Sequence, residues 1–475
     1  MLHAFCQGLL ASHTHAFFFL YLKTYEIDVI AYSLIESVIS ILLLLNPLYG
    51  FVTDRFKLFG RHKQSYLVVC GVVGSLIYFL VAMTAYRKIS LGVIIAAHFL
   101  VDINNAFRTV VIDSICVISH KFHNEKVTSK KEKSTNSSLM LLYGSRVLGR
   151  VISVGFFGAV YNRFQNKYFF FVMGVAMTSM IISLFTKDPP LPSEPPQSSF
   201  KANVKESFEV IKKNRFVGLL LANGLAHASP EIEIGFHFFL ISALNFSNSD
   251  FALKSLTTEM FLLLGVFLMG TLFKKTKRSL FLKICFLAYA LWTLLLVYVL
   301  RFSEGSDEAS PIVLVLSFTG VQALLEELRT VPVVGVFLEF SPKSQEGFFI
   351  SLIYFFNSFS DIVSHSLGSL FVYLLSIKKD NFAHLPYLVL IHVLFALVSF
   401  VILTCSHVPD KLSQKKTQAV QPVTQDGSTF AGLGDAKVTD ASEPDEPRPD
   451  VELTNLLDED QFNEQVIFKD LVGGM

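Results

Sequence analysis

Twelve apolar stretches of roughly 20 residues each follow one another between Leu2 and Cys405. A run of that length and polarity fits a bilayer better than water, and a bilayer restricts the backbone to helices because nothing else satisfies its amides there. The stretches run Leu2–Leu22, Asp28–Leu48, Tyr66–Tyr86, Ile89–Ile118, Leu139–Tyr161, Tyr168–Thr186, Phe216–Leu244, Phe251–Phe273, Leu280–Leu300, Ile312–Phe340, Phe348–Ser376 and Leu385–Cys405. The expected fold class is an all-α membrane protein, with twelve transmembrane helices in two pseudo-symmetric six-helix bundles. The first run lacks a basic region ahead of it, so it reads as a span and not a signal peptide.

Composition agrees. The chain is 52% hydrophobic and 17% charged, below the quarter usual in soluble domains. Its net charge of +1 hides an asymmetry, since Lys411–Met475 carries −7 and the rest +8. That pattern points to basic loops at a membrane surface and gives no reason to expect a nucleic-acid partner. The five cysteines are scattered through apolar stretches with no C-x-x-C pair, which supports neither a disulfide framework nor a zinc site. No H-E-x-x-H, G-x-S-x-G or Walker-type signature occurs. Neither an enzyme nor a cofactor is expected, and direct ATP drive is disfavoured.

Basic residues cluster in alternate loops: Arg55–Lys63, Lys121–Lys133, Lys201–Arg215 and Lys274–Arg278. These loops are expected in the cytoplasm, which puts both termini inside. The organisation is then a six-helix bundle over 1–186, a Pro-rich cytoplasmic linker over 187–214, a second bundle over 215–407, and an acidic tail over 408–475 expected to be disordered. In the tail, Glu452 with Leu456 and Leu457 resembles an acidic di-leucine signal for a sorting adaptor. A shift of 213 positions matches Ser138-Leu139 with Ser351-Leu352, Ser145 with Ser358 and Gly155 with Gly368, which favours a duplicated bundle. Secondary transporters are often built so, with substrate held between the repeats.

Ionisable groups inside the spans follow a period of three. Glu36 lies in the second span; Asp102, Arg108 and Asp113 in the fourth; Arg146 and Arg150 in the fifth; Glu231, Glu233, His227 and His237 in the seventh; Glu259 in the eighth; Glu326, Glu327 and Arg329 in the tenth; and Asp361 and His365 in the eleventh. The third, sixth, ninth and twelfth have almost none and read as lipid-facing supports around a polar cavity. Asp102, Asn105, Thr109 and Asp113 share a helical face. Arg146 and Arg150 are one turn apart, as are Glu326 and Arg329. Arg146 and Arg150, with Asp102, Asn105 and Asp113, are the candidate binding set for an anionic small molecule. The alternative is that the arginines neutralise Asp102, Asp113 or Glu36 and only hold helices together. Glu36, Asp102, Glu326 and Asp361 are candidate proton carriers, because a buried carboxylate without a fixed partner can hold a proton.

The run Asn46-Pro47-Leu48-Tyr49-Gly50-Phe51-Val52-Thr53-Asp54, followed by Leu58-Phe59-Gly60-Arg61-His62-Lys63 and Tyr66-Leu67, resembles the folate–biopterin transporter family of the major facilitator superfamily. Val110-Val111-Ile112-Asp113-Ser114, Ser229-Pro230 with Phe236–Phe239, and Val331-Pro332 with Ser341–Gly347 resemble further family segments, so the likeness extends from about residue 2 to 405. The chain departs from the pattern at Asn46, His62, Lys63 and Arg150, which bears on the substrate. The resemblance implies secondary transport of a folate- or pterin-like anion by alternating access in a multi-pass protein of the plasma membrane or an organelle. Gly50, Asp54 and Arg61 would form a conformational latch. The competing readings keep the fold and change the cargo to another small metabolite, or make the chain a non-transporting receptor or scaffold.

Overall fold

In the computed structural model, every regular element among the described residues is helical except for two isolated bridge pairs. The structure describes residues 1–11, 29–84, 91–126, 135–164, 168–186, 188, 199–213, 215–303, 310–342, 345–378, 381–406 and 408. Some side chains within these ranges, Glu36 among them, lie outside the description, as does the acidic tail with Glu452, Leu456 and Leu457.

The first half holds α1 (Leu2–Ala11), α2 (Val29–Ser40), α3 (Asn46–Arg55), α4 (Lys63–Thr84), α5 (Leu91–Lys126), α6 (Thr135–Phe164) and α7 (Tyr168–Phe185). Then come α8 (Phe200–Lys213), α9 (Val217–His227), α10 (Glu233–Ser242), α11 (Asn248–Lys275), α12 (Arg278–Ser303), α13 (Ser310–Glu339), α14 (Glu346–Leu374) and α15 (Leu385–Cys405). Seven helical stretches among the described residues are long and apolar enough to cross a membrane. Helix α13 carries Glu326, Glu327 and Arg329 in its middle, and α9 and α10 are each short pieces.

Three elements differ from the expected run of spans. The second stretch is not one helix, because a 3-10 segment at Ile41–Leu45 joins α2 to α3, and the helical path continues to Arg55. Pro47, at the start of α3, fits the first turn, where its missing N–H costs nothing. The seventh stretch, expected as one helix over Phe216–Leu244, breaks between α9 and α10 around Ser229-Pro230. The linker is not wholly irregular. In α8, Asn203, Ser207 and Ile211 repeat at every fourth position and form its buried face.

Packing joins elements distant in the chain. Helix α4 lies on α5 and α7, while α12 lies on α13 and α15. Helix α6 runs along α11, and α14 lies on α2, α3 and α9. Outward-facing apolar residues such as Leu76, Leu80 and Leu394 are more than half exposed, a surface suited to lipid. At the entry to α11, Ser247 and Asp250 form a reciprocal capping box that satisfies two amides at the helix end.

Candidate functional site

At the expected latch motif, Asp54 meets a different cation from Arg61. Phe59 and Gly60, both at positive φ, turn the chain sharply between Leu58 and Arg61, which exchange two backbone hydrogen bonds. The turn brings Lys63, and not Arg61, to Asp54: Lys63 Nζ lies 2.5 Å from Asp54 Oδ1, and both side chains are buried. Arg61 instead donates to Gln64 Oε1 at 2.5 Å. Sequence alone could not choose between Arg61 and Lys63, because the choice depends on the handedness of a two-residue turn. Asp188 fixes the start of α4 by accepting the N–H groups of His62, Lys63 and Gln64 at 2.7–3.0 Å. A carboxylate there meets the positive end of the helix dipole. Burial and the nearby Lys57 hold the His62 imidazole below its ordinary pKa, Lys63 adds to the effect, and Asp188 and Asp54 oppose it.

The other oxygen of Asp54 accepts the N–H of Phe348 in the first turn of α14, at 2.7 Å. The two helices come this close because Gly50 and Gly347 have no side chains. A Cβ on Gly50 would run into Ser351 and the Gly347 carbonyl, and one on Gly347 would sit 2.5 Å from Asp54 Oδ1. Helix α8 braces the same end: Phe200 packs edge-on against both Phe51 and Phe348, and Gln345 donates to Glu206 at 2.7 Å.

Deeper in, α1, α5, α6 and α14 share a polar network. Arg146 Nη2 lies 2.6 Å from Asp113 Oδ1, and Arg146 Nε donates to Gln7 Oε1 at 3.1 Å. Gln7 donates to Thr109, whose hydroxyl donates to the Asn105 carbonyl at 2.8 Å. From the far side, Tyr354 of α14 donates to Asp113 Oδ2, and Arg146 lies over the ring of Tyr143. Helix α1 reaches this place because Gly8 and Gly149 allow backbone contact with α6. Gln7 and Tyr354 were missed by the sequence reading, since neither is ionisable and neither stands out among neighbours of similar type.

The two arginines are not equivalent. Arg146 is hydrogen-bonded to Asp113 and Gln7. Arg150 pairs with Glu259 of α11 at 3.0 Å, but its Nε–H is misaligned and makes no hydrogen bond, and about a quarter of its side chain is exposed. Asp102 sits 3.4 Å from His98 on its own helix. Of the remaining expected groups, Glu326 is exposed while Glu327 is half-buried. Glu326 and Arg329, one turn apart on α13, make no ion pair. Arg329 is buried against the rings of Phe286 and Tyr289, and its Nε and Nη1 have no hydrogen-bond partner. Asp361 lies 3.6 Å from His227. Among the described residues no group of three metal-ligating side chains is assembled.

A bundle of apolar helices that keeps paired charges between helices, with a cross-braced end, defines an integral multi-pass membrane protein. Solved structures agree on the fold: the nucleoside transporter NupG aligns at a TM-score of 0.59 with 13% identity for its D323A mutant, covering 85% of this chain and 97% of that one. The unmutated NupG structure gives 0.56 and 14%. The chain belongs to the BT1 family, whose model matches residues 7–426. Among curated proteins, the folate-biopterin transporter of Synechocystis sp. is 21% identical over 73% of this chain and 69% of its own. Folate transporter 2 of Plasmodium falciparum is 21% identical over 86% and 88%. These relatives are transporters and not enzymes.

Proposed function

We propose that this chain is a secondary transporter of a folate- or pterin-like organic anion, working by alternating access. The observation that carries the reading is the polar network at Asp113, Arg146 and Tyr354, set between helices that are otherwise apolar. Charge at that depth is costly, so its presence there marks a pathway or a switch. The names of the curated relatives support the cargo.

On this reading the spans number twelve: α1, α2 with α3, α4, α5, α6 and α7 in one bundle over 1–186, and α9 with α10, α11, α12, α13, α14 and α15 in a second over 215–407. The linker over 187–214 holds α8. The tail over 408–475 hangs in the cytoplasm with both termini, where Glu452, Leu456 and Leu457 meet a sorting adaptor. The host is the plasma membrane or an organellar membrane. The pairing of α4 with α7 and of α12 with α15 supports the duplication, as these are the charge-poor support helices of each bundle.

Arg150 receives the substrate carboxylate by exchanging Glu259 for it, while Asp102 and Asn105 line the path. Arg146 and Asp113 keep the shape of the site. Gly50 and Asp54, with Lys63 in place of Arg61, hold the cytoplasmic end shut. Glu36, Glu326 and Asp361 stand as proton carriers.

The test is growth and uptake in a folate-auxotrophic host, with labelled folic acid and labelled biopterin as probes. Saturable uptake that Arg150→Gln weakens, at unchanged abundance in the membrane, supports the assignment. Protein present in the membrane without uptake of either probe overturns the cargo.

A further inference from the structure

The broken seventh span and α14 run side by side in the same direction, and they meet through three polar pairs at a constant offset of 134 positions. Asn223 donates to Asn357 at 3.0 Å. One turn on, His227 Nδ1 faces Asp361 Oδ1 at 3.6 Å. One turn further, His365 Nδ1 meets Glu231 Oε2. The two strips read Asn, His, Glu and Asn, Asp, His, so the acid and the imidazole change sides between successive rungs.

The break itself is stitched to α14 and α15. Ser364 Oγ donates to the Ser229 carbonyl at 2.5 Å, and the Glu231 N–H donates to the Ser364 carbonyl at 3.2 Å. His392 Nδ1 lies 2.9 Å from the Pro230 carbonyl. A discontinuous span held at its break, with ionisable groups beside it, is a place where transporters bind ions.

A second observation points to the ion. His227 Nδ1 faces Asp361 at 3.6 Å, beyond hydrogen-bond length, and its Nε2 is buried with no hydrogen-bond partner, so in the tautomer with hydrogen on Nδ1 that atom presents an open lone pair. Asp361 is the accessible member of the ladder, with 45% of its side chain exposed. Metal binding is not favoured, since these four groups do not converge on one point.

The surrounding titratable groups have other engagements. On α10, Glu233 and His237 lie 3.4 and 2.8 Å from Lys254 of α11. On α13, Arg329 stacks on Phe286 and on Tyr289 of α12, beside Glu326 and Glu327 of its own helix. On α15, His392 is tied to Pro230. Helices α2 and α5, also packed on α14, carry Glu36, Asp102 and Asp113.

We propose that the crossed couples His227–Asp361 and Glu231–His365 bind the proton that drives transport, with His227 Nε2 as the atom that takes it. The balance is simple. One proton enters from the more acidic side, His227 becomes an imidazolium facing the Asp361 carboxylate, and the same proton leaves on the other side. The inference rests on the transporter reading and, among the carriers named there, singles out Asp361.

Two measurements test it, and only one needs the cargo. The first uses purified protein in liposomes and infrared difference spectra between about pH 8 and about pH 5. The expected result is imidazole and carboxyl bands that vanish in His227→Gln and Asp361→Asn. Identical difference spectra in wild type and both variants overturn the proposal, whatever is transported. The second uses labelled folic acid with the membrane potential clamped at zero. A gradient of about one pH unit should raise accumulation about tenfold for one coupled proton. His227→Gln and Glu231→Gln should lose that gain and keep exchange of internal for external folic acid. Should His227→Gln fail to fold, Asp361→Asn reads the same couple. Gradient-driven accumulation that survives in both variants refutes the assignment. Absence of folic acid transport in wild type refutes the cargo alone.

Discussion

The Asp54 carboxylate accepts the backbone N–H of Phe348, 294 positions further along the chain, at 2.7 Å. A side chain at the end of one helix thereby caps the start of another. The amides of a first turn have no partner within their own helix, and the dipole there favours an anion. Lys63 neutralises the other oxygen, so the contact is buried without leaving a bare charge.

This junction is expected to act as a latch. Asp54→Asn leaves Lys63 buried and unpaired, a loss of about 3–5 kcal/mol in comparable pairs. If the junction forms only in the closed arrangement, the variant shifts toward opening by that amount. Ser351→Cys, placed beside Gly50, reports it: labelling by an impermeant maleimide from the basic-loop side should rise in Asp54→Asn. Unchanged labelling means that the junction is not a gate.

The two arginines one turn apart are expected to behave differently. Arg146→Gln strips the buried Asp113 of its cation and should cost about 3–5 kcal/mol of stability, seen as lower abundance and earlier thermal unfolding. Arg150→Gln removes a partly exposed, misaligned pair worth about 1 kcal/mol, so the fold should persist. Its effect should fall on substrate affinity, by about 10–100-fold for a lost charged hydrogen bond. Equal loss of stability in both variants would contradict the distinction.

Tyr354→Phe isolates the link from α14 to Asp113. Asp113 keeps Arg146 as a partner, so abundance should hold. A hydrogen bond to a charged group contributes about 1.5–3 kcal/mol. The variant should therefore turn over at an altered rate while binding substrate with unchanged affinity, which a comparison of KM and maximal uptake resolves.

Asp188→Ala tests the cap on α4. Three backbone N–H groups lose their acceptor, and a cap of this kind is worth about 1–2 kcal/mol. Thermal unfolding of the purified protein should shift downward, and Asp188→Asn should recover part of the loss because its amide oxygen still accepts.

Much of this molecule is legible in its residues. Length and apolarity forced the helices, since a bilayer offers backbone amides no other solution. Charge clustered where helices face one another, and Asp113 and Arg146, both named from the sequence, are buried there. The Ser229-Pro230 pair marked the place where the seventh span breaks, although it was read as a family segment and not as a break. The motif Gly50 to Asp54 with its basic loop marked a place where a carboxylate meets a loop cation.

Partner choice was not legible. Whether Asp54 takes Arg61 or Lys63 depends on a turn at positive φ. That Asp113 accepts from both Arg146 and Tyr354 depends on α14 crossing from the other end of the chain. The sequence by itself determined solvent, helix content and which positions carry charge, because those follow from local hydropathy and residue type. Only the tertiary structure decided which charge meets which, because an ion pair or a shared proton requires contact within a few ångströms, and that distance is set by packing between segments hundreds of positions apart.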